Sequence, residues 1–157
     1  MSILVALHIL ISLAGLASGF AVLYGIQRAR FLNGWTASFL ITTAATSLTG
    51  FLLPARALMP SHVVAVLSLL VLGLAAISHY RFHLEGGWRK TYAISAVVAL
   101  YFNFFVLVAQ LFAKVPPLKA MAPTQSEAPF QLAQIVVLTA FVFLGYRSVA
   151  GSAKLPV

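Results

Sequence analysis

The stretch "ILVALHILISLAGLASGFAVLY", residues 3–24, decides the fold. It contains no charged residue. A run of roughly 20 apolar residues is what an α-helix needs to cross the hydrocarbon layer of a bilayer. A cleaved secretory signal would carry a basic segment, a shorter apolar core and a small-residue cleavage site. The stretch has none of these, so it reads as a retained membrane helix. Similar runs recur at about 35–53, 62–80, 91–113 and 130–148. Backbone polar groups in lipid must be satisfied within their own segment, which makes each run a helix. The expectation is an all-α bundle of five transmembrane helices, a single domain over residues 1–157.

Composition agrees. Of 157 residues, 62% are hydrophobic and 8% charged, against about 25% charged in soluble domains. The mean hydropathy is +1.02. The absence of cysteine excludes disulfides and thiolate metal sites.

The formal net charge is +8. Nucleic acid is not the partner it implies, because the charges fall at the ends of the spans. Arg28, Arg30, Arg81, Arg89, Lys90, Arg147 and Lys154 lie on one side, and Arg56, Lys114 and Lys119 on the other. Basic residues collect on the cytoplasmic side, which places the N-terminus outside and the C-terminus in the cytoplasm. Tyr24, Trp35, Tyr80, Trp88, Tyr92 and Tyr146 fall at the same cytoplasmic interface, the level that amphipathic rings prefer. The outer interface has no Trp or Tyr.

The outer connections, "PARALMPS" and "KVPPLKAMAPTQSEA", are stiffened by proline. The second holds Glu127, one of only two acidic residues in the chain. Small and polar residues recur at spacings of four and three, the period of left-handed helix packing. The seams are His8–Ser12–Gly15–Gly19, Ser38–Thr42–Ala45–Thr49, Tyr92–Ala96–Ala99–Asn103 with Gln110, and Glu127–Gln131–Gln134 with Gly145.

Several polar members of these seams fall in the outer halves of their helices. Polar groups within a span usually face the bundle interior or a wet cavity. His8, Thr49, His62, Asn103, Gln110, Glu127, Gln131 and Gln134 are therefore expected to line an outward-opening pocket, with Glu127 at its rim. Each residue also has a plainer role. "TQSE" is a helix-capping signature with Thr124 or Ser126 as the cap, and glutamines can simply bond neighbouring helices. His8 and His62, on separate helices, are the residues that bis-imidazole ligation of haem b would need. His79 and His83 have the i,i+4 spacing of a zinc pair. They stand among arginines, where solvated side chains are the better reading.

No aspartate occurs, and neither glutamate lies mid-span, which argues against a proton- or sodium-coupled pump. No G-x-S-x-G, H-E-x-x-H or Walker loop is present, so no enzyme activity is expected. The stretches "TTAATSLTGFLLP", "PSHVV", "ALYFNFFVLVAQ" and "APTQSEAPF" resemble an uncharacterised family of small bacterial multi-pass membrane proteins. The resemblance implies a bacterial cytoplasmic membrane and lends no catalytic residue. The leading expectation is a membrane protein whose polar pocket binds a small ligand or docks a partner, as a homo-oligomer or a subunit of a larger complex. No cofactor or metal is expected on that reading. The alternatives are a haem b redox protein, with or without a link to quinone, and a channel with Asn103 at its waist.

Overall fold

The computed structural model describes residues 3–53 and 60–156, without the side chains at 60 and 61. Arg56, counted in the outer charge set, lies outside the described residues. Helix α1 spans Ile3–Gln27, α2 Asn33–Leu52, α3 Pro60–Ala76, α4 Trp88–Lys114, α5 Pro116–Met121 and α6 Ala128–Ser152. A π-helical turn, Ile77–Arg81, continues α3. No strand occurs among the described residues.

Among the described residues four helices are long and apolar enough to cross a membrane: α1, α3 with its π-turn, α4 and α6. Helix α2 differs in being rich in threonine and serine. Several of its hydroxyls are satisfied by its own backbone: Thr42 donates to Ser38 O at 2.6 Å, Thr46 to Thr42 O at 2.9 Å and Ser47 to Thr43 O at 3.0 Å. Such back-bonding lets hydroxyl side chains sit on a buried helix without exposing an unpaired group.

Helix α4 touches α1, α3, α5 and α6, while α2 packs on α1 and α3. Where the helices close tightly, glycine permits it. A Cβ at Gly19 would fall 2.5 Å from Leu100 Cδ1 and 2.8 Å from Phe39. One at Gly151 would meet the Ile26 carbonyl oxygen at 2.5 Å and Gln27 Cα at 2.8 Å. The C-terminal ends of α1 and α6 are thus in near-backbone contact, and Gln27 adds a bond to Ser148 Oγ at 3.3 Å.

Three sequence-based expectations need correction. The buried face of α2 is Thr36, Phe39, Leu40, Thr43 and Ser47, rotated from Ser38–Thr42–Ala45–Thr49, because Phe39 fills the space left by Gly19. Tyr92 does not turn its ring outward from the bundle: it is 1% exposed and its hydroxyl meets Thr36 Oγ1 at 3.0 Å. His79 is not solvated either. Its ring stacks on Tyr92 at 5.5 Å and meets Tyr80 edge-on at 4.6 Å, and its Nδ1 is buried without a partner. The π-turn ends at Arg81 and His83 takes a positive φ of 46°. The two histidines therefore lack the shared helical face that the i,i+4 spacing implied.

Candidate functional site

Helices α1 to α4 enclose a cavity of about 580 Å³. Its polar wall comes from His8 and Ser12 on α1, Thr43, Thr46 and Ser47 on α2, His62 and Ser68 on α3, and Asn103, Gln110 and Lys114 on α4. Aliphatic residues fill most of the remainder, among them Ile9, Leu13, Leu16, Val106 and Leu107.

The deep part is built around Gly15. A Cβ placed there would lie 3.0 Å from Thr43 Oγ1, 3.1 Å from Asn103 Nδ2 and 3.3 Å from Thr42 Oγ1. Three polar groups from two other helices thus converge on one point of α1 that carries no side chain. Thr42 gives its proton to Ser38 O. Thr43 Oγ1 and Asn103 Nδ2 are buried and have no hydrogen-bond partner. Leaving such groups unpaired costs about 1–3 kcal/mol each, and both residues line the cavity, so the pair marks a place for a ligand or an ordered water that a turn of either side chain would reach.

His8 sits higher on the same wall. Its Nδ1 is 2.8 Å from Thr49 Oγ1, and Thr49 Oγ1 already donates to Ala45 O at 2.7 Å. One hydroxyl has one proton, so the imidazole must supply the other and carries its hydrogen on Nδ1. Nε2 is left as an acceptor. His62, which opens α3, stacks on Phe51 with ring centroids 5.3 Å apart.

Of the eight sequence-predicted pocket residues, the structure brings His8, His62, Asn103 and Gln110 to this cavity. Thr49 stands behind His8 as its hydrogen-bond partner. Glu127, Gln131 and Gln134 do not line it. Glu127 occupies the N-cap position of α6, but its carboxylate turns back. It accepts the Thr124 hydroxyl at 2.8 Å and the backbone N–H groups of Thr124 and Ser126 at 3.2 and 3.1 Å. Slight desolvation pushes this carboxyl up, but the Thr124 hydroxyl and the surrounding N–H groups outweigh it and hold it below the usual range. Gln131 closes the same turn onto Ser126 O at 2.8 Å. Gln134 ties α6 to α4 through Phe105 O at 3.2 Å. Glu127 and Gln131 thus build the α5–α6 connection, and Gln134 the contact of α6 with α4, instead of the cavity wall.

Thr43 and Gly15 carry the deep site, and Thr43 was missed as a pocket residue. Its signal was present: it is one residue from the seam chosen for α2, so the error is a rotation of that helix. Among the described residues no three His, Cys, Asp or Glu side chains come together to hold a metal ion. Comparison with known protein families, characterised proteins and solved structures finds no match.

Proposed function

We propose that this chain is a non-enzymatic, five-span membrane protein whose cavity binds a small ligand near the outer face. The observation that carries the reading is the unpaired, buried pair Thr43 Oγ1 and Asn103 Nδ2, packed beside Gly15 on two residues that line the cavity. In this reading α2 crosses the membrane with the others, shielded by α1 and α3. The N-terminus is outside and the C-terminus cytoplasmic, on the distribution of basic residues. The membrane is the bacterial cytoplasmic membrane, and the resemblance of the quoted stretches supports that. The exposed apolar face of α6, with Ile135, Val136 and Val142 well exposed, suits lipid or another subunit.

The test is thermal unfolding of the purified protein against a library of small molecules. A ligand of this site raises the midpoint of the parent and not that of Asn103→Leu, since binding to the folded state alone stabilises it. A library in which every stabilising compound acts equally on both proteins would defeat the proposal.

A second reading has one specific observation in its favour: His8 and His62 line the same cavity, and His8 Nε2 has its lone pair free for a metal. Bis-imidazole haem b would use both rings. Protein purified from cells supplied with a haem precursor would then show a Soret band, lost in His8→Ala and in His62→Ala.

A further inference from the structure

The cavity is closed toward one end of α1 and open along the other. In the C-terminal half of α1, Phe20 meets Phe104 at 6.1 Å and Phe141 at 6.2 Å, and Gly151 rests on the backbone at Ile26. In the N-terminal half, Ile9 and Leu13 of α1 and Leu111 of α4 line the cavity while remaining 39%, 49% and 41% exposed. We read these three, exposed and on the cavity wall at once, as the edge of a side window between α1 and α4, at the height where lipid chains would lie if α1 and α4 cross the membrane.

The chemistry inside the window is that of a neutral site with donors at its base. Among the described residues no carboxylate lines the cavity, and Lys114, the last residue of α4, is the one formally charged group on its wall. The deep unpaired groups, the Thr43 hydroxyl and the Asn103 amide, both offer hydrogen. One carbonyl oxygen, with two lone pairs, can accept from both. The aliphatic wall from Leu16 through Leu13 to Ile9 then leads out to the window.

We propose that the cavity takes the head of a neutral, membrane-resident lipid through a carbonyl oxygen held by Thr43 and Asn103, with the chain leaving between α1 and α4. This rests on the reading of the cavity as a ligand site. A quinone and the ester of a diacylglycerol share the required chemistry. Among the described residues an anionic head would find only Lys114 at the rim, and a cationic head would find no counter-charge.

The test is equilibrium binding of radiolabelled decyl-ubiquinone, dioctanoylglycerol and, at alkaline pH, dodecanoate to the full chain in nanodiscs. One of the two neutral probes binds saturably, and which one names the source. Its affinity falls about tenfold or more in Asn103→Leu, the worth of a buried hydrogen bond, and stays within about twofold in Lys114→Gln, whose charge is at the rim. Thr43→Val gives the same readout should Asn103→Leu fail to fold. Tightest binding of dodecanoate with loss in Lys114→Gln would overturn the inference, as would neutral-probe binding indifferent to both deep substitutions. If no lipid binds but a water-soluble compound stabilises the parent and not Asn103→Leu, the lipid inference fails and the ligand-site reading stands. If neither occurs, both fail.

Discussion

His8 donates to Thr49 across the α1–α2 interface, Nδ1 to Oγ1 at 2.8 Å, because the Thr49 proton is already committed to Ala45 O at 2.7 Å. The relay fixes one tautomer of a histidine in an otherwise aliphatic stretch of α1. Thr49→Val removes the acceptor for Nδ1–H while keeping the shape of the side chain. The expected result is a loss of about 1–3 kcal/mol of stability, read by thermal unfolding. Nitrogen NMR of labelled histidine should show His8 changing from a single Nδ1–H form to a mixture. A mutant with the parental tautomer and stability would mean that the relay does not hold the ring.

Gly151 supplies a test of how the bundle closes. Ile26 O and Gln27 Cα, the atoms nearest to a would-be Cβ, are backbone and cannot swing aside as a flexible side chain would. Gly151→Val must therefore part the ends of α1 and α6, at about 1–3 kcal/mol for an overpacked contact. Gly73→Val makes the control, since nothing lies within 4 Å of a Cβ there. The unfolding midpoint should drop for the first and stay within experimental scatter for the second.

Glu127 gives a pH dependence of definite sign. Its carboxyl is held below the usual range in the folded chain by the Thr124 hydroxyl and the N–H groups of Thr124 and Ser126, against a slight desolvation that pushes it up. The stabilising contribution is full above the ordinary carboxylate pKa, about 4, and is lost as pH falls through the lowered folded value. Amide exchange at Thr124 and Ser126, corrected for intrinsic rates, should be slow at neutral pH and faster in acid. In Glu127→Gln the protection should no longer change with pH. Ligand binding should be untouched by this substitution, because Glu127 is off the cavity wall.

Helix positions were legible because length and apolarity are local properties, and each predicted span falls on an observed helix. Rotation was less so. On α1 and α4 the small residues mark the buried face, since Gly15, Gly19, Ala96 and Ala99 are all buried. On α2 every position from 42 to 47 is small or hydroxylated, so composition there does not distinguish one face from its neighbour. There a large residue, Phe39 against Gly19, sets the rotation. The end of α1 gave no signal either. Ala29 takes φ 54°, with Ala29 N–H on Ile26 O and Arg30 N–H on Gly25 O. That is a Schellman stop at a position where glycine is the usual marker. The pocket was half legible for a related reason. Polar residues in the outer half were taken together, and sequence alone does not separate those facing the cavity from those closing the α5–α6 turn.

The last prediction concerns α2 and the threading. Reporter fusions after residues 30, 57, 85, 120 and 157 distinguish five crossings from four. With five, the signals alternate in, out, in, out, in, as the seven-to-three division of basic residues requires. If α2 lay along the surface, the reporters at 30 and 57 would share one side, and the two ends of the chain would face the same compartment. The packing favours crossing. Helix α2 is held by both α1 and α3, and Thr36, Thr43 and Ser47 are turned inward. Ile41, Leu48 and Leu52, by contrast, are 67%, 57% and 67% exposed. That outer stripe suits hydrocarbon, and its polar groups are already bonded to its own turns. Matching signals at 30 and 57 would reduce the spans to the four apolar helices and remove the outer opening assigned to the cavity.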